Sequence, residues 1–144
     1  KMWYEENFIE LADLLYKNKF FDYIYLICSP DKAYIAKKII DLSKKKYFID
    51  CSRKDLTGVI TAIKNSNFFI GNNSGPLNLA SALGVKAFGL IANDAISELK
   101  YSKINCIVPD NYKDNTWIRN RLNMKTLTTK KVFNTIIEKL KNES

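Results

Sequence analysis

Residues 67–84 read NFFIGNNSGPLNLASALG, and this stretch decides the fold. Its short apolar run, 68–70, predicts a buried strand that stops at Gly71. Small or polar residues follow until Pro76 opens an apolar helix, which Gly84 closes, because proline is favoured at the start of a helix and glycine just past its end. The stretch therefore predicts a strand, a tight polar loop and a helix N-terminus.

The predicted loop has the character of an anion site. At a helix N-terminus, unpaired backbone N–H groups and the positive end of the helix dipole face the loop, and phosphate fits that environment. Gly75 would let a phosphate oxygen approach the backbone, since it has no Cβ. The same residues also fit a plain turn in which Asn73 or Ser74 caps the helix. The loop alone leaves both interpretations open.

The rest of the chain alternates between helical and strand patterns. Helices are predicted over 8–15, 34–40, 55–63, 76–83 and 95–99, and strands over 23–28, 47–49, 68–70, 85–91 and 106–108. This alternation, with strands apolar on both faces, predicts an α/β fold with a Rossmann-like parallel sheet and helices on both faces. Ligands of such sheets bind beyond the carboxyl ends of the strands, so we expect the loops 29–31, 51–55 and 72–75 to share one crevice.

Length and composition predict a single domain over residues 1–144, in which 110–144 form a polar connection and a terminal helix capped by Thr128 or Thr129. A hydrophobic fraction of 47% with 26% charged residues is typical of a soluble globular protein. No segment is apolar enough to span a membrane, and the N-terminus does not resemble a signal peptide. The three cysteines, Cys28, Cys51 and Cys106, are widely spaced, which favours reduced thiols and a cytoplasmic location.

The absence of histidine limits the chemistry of the chain. Without an imidazole, Ser-His-Asp and Cys-His nucleophiles are excluded, and without a Cys-x-x-Cys pair we expect no metal site.

The net charge of +8 comes mainly from lysine, and only Arg53, Arg119 and Arg121 supply the residue favoured for reading nucleic acids, so we expect no nucleic-acid partner. The positive surface would instead help peripheral docking on the anionic inner face of a membrane.

The stretch from Asn73 to Gly84 resembles the C-terminal domain of glycosyltransferase family 9, the heptosyltransferases of lipopolysaccharide synthesis. The family signature there runs Asp-Ser/Thr-Gly-Pro-x-His-Leu-Ala-x-Ala-Leu-Gly. The resemblance extends upstream through Lys1-x-Trp3, Ser29-Pro30-Asp31 and Leu56-x-Gly58-Val59, and covers about residues 1–110.

The resemblance implies that the chain is the C-terminal, donor-binding lobe of a two-lobed glycosyltransferase of the GT-B type. The family reaction would be inverting transfer of heptose from an ADP-sugar to the lipopolysaccharide core, without metal or cofactor. An ADP-sugar is the expected donor rather than a UDP-sugar. A lipid-linked saccharide acceptor and the general base, an aspartate, would both belong to the N-terminal lobe, which this sequence lacks. We therefore expect no catalytic residue here and no activity of the chain alone.

The resemblance also implies a set of donor-binding residues. Lys1 would contact the donor phosphate, Asp31 a ribose hydroxyl and Lys54 the base, and the diphosphate would meet Asn73, Ser74, Gly75 and Asn78.

Several residues in these matching segments have a purely structural alternative. Asp31 and Asp55 would be helix caps, Trp3 a core anchor, and Asn78 a residue tolerated on an exposed helix face.

The chain departs from the family pattern at several positions: Asn73 replaces Asp, Asn78 replaces His, Lys86 replaces Pro and Ala92 replaces Gly. These departures keep two other functions open. One is a UDP-N-acetylglucosamine 2-epimerase-like domain, whose lobe carries a similar Gly-Asn-Ser-Ser-Gly loop. That family usually places Glu in the following helix, where this chain has no acid. The other is a degenerate, non-catalytic binding lobe.

Overall fold

The computed structural model describes residues 2–92, 99, 103–112 and 121–142. The chain divides into two compact units, one of residues 4–66 and one of residues 1–3 together with 67–144. Parallel strands flanked by helices make up the fold, which confirms the predicted α/β class. The single domain over residues 1–144 stays a prediction. The helix predicted over 95–99 lies outside the described residues except for Leu99.

In the unit of residues 4–66, helices alternate with two parallel strands. The elements are α1 (Glu5–Lys17), β1 (Ile24–Leu26), a 3₁₀ turn (Pro30–Lys32), α2 (Ala33–Ser43), β2 (Phe48–Asp50) and α3 (Leu56–Lys64). Ile24 pairs with Phe48, and Leu26 with Asp50. Since parallel strands end at the same edge of their sheet, the loops after β1 and β2 lie at one edge, as predicted for these two loops.

An aromatic cluster fills the core of this unit. Ala12 of α1 and Ile39 of α2 pack with Tyr47 and Phe48. The ring of Tyr47 meets that of Phe21 edge-on, with centroids 5.2 Å apart. Within the described residues, the buried hydroxyl of Tyr47 has no hydrogen-bond partner. Burial, followed by the nearby Asp13 carboxylate, raises the pKa of the Tyr47 phenol.

Replacing Tyr47 by Phe should stabilise the protein by about 1 kcal/mol, because a buried hydroxyl without a partner costs ~1–3 kcal/mol and Phe retains the ring packing. Urea unfolding followed by circular dichroism measures the change. The matched control is Tyr34→Phe, which alters a ring that is 66% exposed and should leave the free energy of unfolding unchanged. A loss of stability in Tyr47→Phe would contradict the prediction.

In the other unit, a three-stranded parallel sheet has the order β3-β4-β5. The elements are β3 (Phe68–Asn72), α4 (Gly75–Ala82), β4 (Lys86–Leu90), β5 (Ile104–Ile107), a 3₁₀ helix (Arg121–Thr126) and α5 (Thr129–Asn142). The prediction that β3 stops at Gly71 is wrong: Gly71 pairs with Gly89 and Asn72 with Leu90, because β4 runs alongside β3 to its end. The predicted cap of α5 is confirmed at Thr128, whose hydroxyl accepts a hydrogen bond from the backbone N–H of Lys131 at 3.1 Å.

Helix α4 ends as its sequence predicts. Gly84 has φ +78°, a left-handed conformation that glycine adopts without strain. Its N–H donates to the Ser81 carbonyl, and the N–H of Val85 donates to the Ala80 carbonyl, both at 3.0 Å. This pair of bonds is a Schellman motif, which satisfies carbonyls in the last turn of the helix.

Trp3 confirms its predicted role as a core anchor. It is 2% exposed, and its indole Nε1–H donates to the carbonyl of Leu127 at 2.9 Å. The short segment before α1 is therefore part of the unit that contains β3 and α4. Among the described residues, no helix combines the length and apolarity needed to cross a bilayer.

Candidate functional site

The N-terminus of α4 has no side-chain cap. Ser74 is the N-cap residue, but its hydroxyl makes no capping hydrogen bond. Pro76 has no N–H, so Leu77 carries the N–H that a capping side chain would normally bind. Within the described part of the chain, the N–H groups of Gly75 and Leu77 have no hydrogen-bond partner. Leu77 is fully buried whereas Gly75 is exposed, so the Gly75 N–H and the positive end of the α4 dipole are the groups that can serve an anion.

Among the residues that the structure describes, nothing requires residue 75 to be glycine. Its φ lies outside the positive region, and a Cβ added to it would meet no atom of the other described residues within 4 Å, apart from its chain neighbours and the nearby backbone of its own helix. Packing does explain two other glycines. A Cβ added to Gly71 would lie 2.8 Å from the Phe69 ring, and one added to Gly89 would lie 2.9 Å from the Leu77 side chain. As far as the described residues extend, the space beside Gly75 is open, and it lies next to a helix N-terminus without a side-chain cap.

The structure brings together the four residues predicted for this loop. Asn73 and Asn78 are exposed, and Ser74 and Gly75 lie between them in the sequence. The carboxamide Nδ2 of Asn78 donates to the Ser74 carbonyl at 2.9 Å, so this side chain points back to the start of α4. One of its two N–H donors is thereby engaged. Contact of these residues with phosphate stays a prediction.

Asp31 lies in the unit of residues 4–66, within the 3₁₀ turn that precedes α2. Its alternative role as a helix cap is wrong, because the N-cap of α2 is Lys32 and that of the 3₁₀ turn is Ser29. A hydrogen bond from Ser29, supported by the backbone N–H of Asp31 itself, lowers the pKa of the Asp31 carboxyl. Asp31 is an exposed carboxylate that could accept hydrogen bonds from a sugar hydroxyl.

Lys54 is exposed in the loop after β2, at the same edge of the sheet as Asp31. Its alkyl stem lies over Gly58, where an added Cβ would be 3.0 Å from Lys54 Cβ. Asp55 is confirmed as the cap of α3, since its carboxylate accepts a hydrogen bond from the Gly58 N–H at 2.8 Å. Contact of the Lys54 stem with a base stays a prediction.

Sequence reasoning missed the hydrogen bonds that shape this loop. Ser52 is 1% exposed, and its hydroxyl and backbone N–H both donate to Asp50 Oδ1, at 2.5 and 2.9 Å. These two bonds lower the pKa of the Asp50 carboxyl, the hydroxyl bond being the larger cause. The Asp-x-Ser spacing directly after a strand was the available signal, because it is typical of an Asx turn.

Further predictions concerned Lys1, a metal site and the three cysteines. Lys1 lies outside the described residues. No cluster of His, Cys, Asp or Glu that could hold a metal ion is found in the ranges that the structure describes. Cys28, Cys51 and Cys106 are free, and burial raises the pKa of each thiol. A raised pKa keeps these thiols protonated at neutral pH.

The protein is an α/β domain with a helix N-terminus directly after a parallel strand, the kind of position at which such domains can bind anionic ligands. More specifically, the chain belongs to glycosyltransferase family 9, the heptosyltransferases, whose family model matches residues 1–129. The resemblance read from the signature is thereby confirmed. A search of curated proteins gives no match.

Solved structures similar to this chain include two heptosyltransferases of E. coli. ADP-heptose LPS heptosyltransferase II aligns over 99% of this chain and 43% of its own, with 15% identity and a TM-score of 0.78. Heptosyltransferase WaaC, solved with ADP, aligns over 94% of this chain and 39% of its own, with 19% identity and a TM-score of 0.74. The likeness establishes the fold, and this chain spans about two fifths of the length of these proteins.

Proposed function

We propose that the chain is the donor-binding lobe of an inverting heptosyltransferase and that its donor is an ADP-sugar, ADP-heptose in particular. Family membership and the fold support the class of reaction. The observation that carries the binding role is Gly75, a glycine that neither its backbone conformation nor its packing against the described residues requires, beside a helix N-terminus without a side-chain cap. A diphosphate would occupy the space beside Gly75.

The contribution of this lobe to the reaction would be electrostatic. As the glycosidic bond to the donor breaks, negative charge grows on the departing diphosphate. The N–H of Gly75 and the helix dipole would stabilise that charge without reorganising. The carboxamides of Asn73 and Asn78 would add neutral donors in place of the family's charged or titratable side chains. Asp31 would bind the ribose and Lys54 would cover the base.

The remaining parts of the reaction are assigned to the other lobe. By family resemblance, the general base and the site for a lipid-linked saccharide of the lipopolysaccharide core lie there, so we expect this chain alone to bind nucleotide weakly and to catalyse nothing. The free cysteines fit a cytoplasmic location. The excess of lysine would favour contact with the inner membrane face.

A degenerate binding lobe is the second candidate function. The bond from Asn78 Nδ2 to the Ser74 carbonyl favours it, because a side chain that bonds its own helix has less capacity for a ligand. The family match favours both of these candidates over a UDP-N-acetylglucosamine 2-epimerase-like domain.

Calorimetric titration of the chain with ADP and with UDP separates the candidates. We expect ADP to bind at least about tenfold more tightly than UDP, a difference of ~1.4 kcal/mol. A preference for UDP would favour the epimerase-like function. No heat and no thermal shift with either nucleotide would favour the degenerate lobe and would overturn the proposal.

A further inference from the structure

The carboxyl ends of α1 and α2 lie side by side in the unit of residues 4–66. Lys17 at the end of α1 and Lys45 just after α2 both form ion pairs with Asp13, at 2.9 and 3.7 Å. The rings of Tyr16 and Tyr47 are also in contact, with centroids 4.7 Å apart. These contacts bring together five exposed lysines, which we call the lysine patch: Lys17, Lys19, Lys44, Lys45 and Lys46.

The lysine patch keeps an excess of positive charge. Asp13 is shared by two of the lysines, and the only other acids within three residues of a patch lysine in the sequence are Asp22 and Asp41. Among the described residues, the other three lysines of the patch have no ion-pair partner. The patch can therefore bind a surface that carries several negative charges.

Two lysines of the patch have a left-handed backbone conformation. Lys19 has φ +61° and Lys44 has φ +56°, and they follow the ends of α1 and α2. Glycine is the usual residue for this conformation, as at Gly84, because it has no Cβ. Ending the helices therefore does not explain a lysine at either position, whereas a need for positive charge does.

Exposed tyrosines accompany the lysines. Tyr16 is 48% exposed and Tyr23 is 65% exposed. Tyr23 lies beside the patch, because the next residue, Ile24, donates its backbone N–H to the carbonyl of Tyr47 at 2.9 Å. Tyrosine has an apolar ring with a polar tip, and lysine has an apolar stem with a charged end, so both suit the interface between lipid and water.

We propose that the lysine patch docks the chain on an anionic lipid bilayer, and this inference rests on the membrane contact in the proposed function. Lipid phosphates would face the lysines, and the rings of Tyr16 and Tyr23 would enter the headgroup region. The patch lies at the amino ends of β1 and β2, whereas the loops that contain Asp31 and Lys54 follow the carboxyl ends. Docking through the patch therefore leaves these two loops open to a nucleotide.

The experiment is co-sedimentation of the whole chain with lipid vesicles. We expect binding to vesicles of phosphatidylcholine mixed with phosphatidylglycerol, weaker binding to phosphatidylcholine alone, and release by added salt. The double variant Lys19→Gly with Lys44→Gly removes two charges and should weaken binding to the anionic vesicles about tenfold or more. Because glycine suits both backbone conformations, the melting temperature of this variant should not fall.

The matched control is Lys32→Gln with Lys37→Gln. Both lysines are exposed and belong to the same unit, but they lie towards the start of α2, away from the patch. This variant loses the same formal charge, and its binding to anionic vesicles should stay within about threefold of the wild type, since surface charges act mainly at short range.

Each outcome either supports or overturns the docking surface. Equal binding to both kinds of vesicle, or equal loss of binding in the glycine variant and the control, overturns it. Binding of single-stranded RNA through these lysines, without binding of vesicles, overturns it in favour of a nucleic-acid partner. Calorimetry with ADP tests the donor site separately, because both double variants should bind ADP as the wild type does. A wild-type chain that binds anionic vesicles through the patch but not ADP would overturn donor binding alone.

Discussion

Replacing Gly75 by Ala is expected to weaken ADP binding by at least about tenfold, or ~1.4 kcal/mol, and to leave the fold intact. A methyl group at this position meets no other described part of the chain within 4 Å, apart from its chain neighbours and the nearby backbone of its own helix, and the φ angle is not in the positive region that disfavours side chains. Alanine is also a better helix former than glycine, so the melting temperature should stay the same or rise slightly. The methyl group would instead occupy the space proposed for a phosphate oxygen. Calorimetry with ADP and thermal unfolding measure the two effects.

The matched control is Gly84→Ala at the opposite end of α4. Its φ of +78° makes a side chain unfavourable, so the free energy of unfolding should fall by about 1–2 kcal/mol. ADP affinity, measured where the protein is folded, should not change. Gly75→Ala should therefore lower ADP affinity without lowering stability, whereas Gly84→Ala should lower stability without changing ADP affinity. Wild-type ADP affinity in Gly75→Ala would contradict the proposed location of the diphosphate.

Replacing Trp3 by Ala should lower the free energy of unfolding by about 3–5 kcal/mol, the usual cost of removing a large aromatic side chain from a core. Trp3 is 2% exposed, and its loss also leaves the buried carbonyl of Leu127 without its donor. Trp3→Phe keeps most of the ring and should cost about 1–3 kcal/mol, because the indole N–H is lost. Urea unfolding followed by circular dichroism gives both values.

The control for Trp3 is an exposed aromatic residue. Tyr23 is 65% exposed, so Tyr23→Ala should change the free energy of unfolding by no more than about 0.5 kcal/mol. If Trp3→Ala costs as little as Tyr23→Ala, then the N-terminal segment does not contribute to the stability of the unit, contrary to our expectation.

Much of the local structure was predictable from the sequence. The helix caps at Asp55 and Thr128 and the end of α4 at Gly84 are confirmed by their hydrogen bonds. Each of these features depends on residues within about five positions of one another, so the relevant groups are visible side by side in the sequence. The order of strands and helices follows from apolar periodicity for the same reason.

The limits of β3 and the details of the loops were not predictable in this way. The sequence predicts that the strand ends at Gly71, but pairing with β4 extends β3 to Asn72. The 3₁₀ helix Arg121–Thr126 lies in a stretch without periodicity. The hydrogen bond from the buried Ser52 hydroxyl to Asp50 was indicated in the sequence only by the Asp-x-Ser spacing, which is a weak signal of an Asx turn.

The sequence by itself determined the family, the α/β class and the position of the loop at the start of α4, since these depend on a local signature and on periodicity. Only the tertiary structure decided that no distant described residue packs against Gly75 and that Trp3 bonds both Asn72 and Leu127. Both findings depend on atoms contributed by distant parts of the chain. Such contacts form only when distant parts of the chain pack together, so they cannot be predicted from the spacing of residues in the sequence.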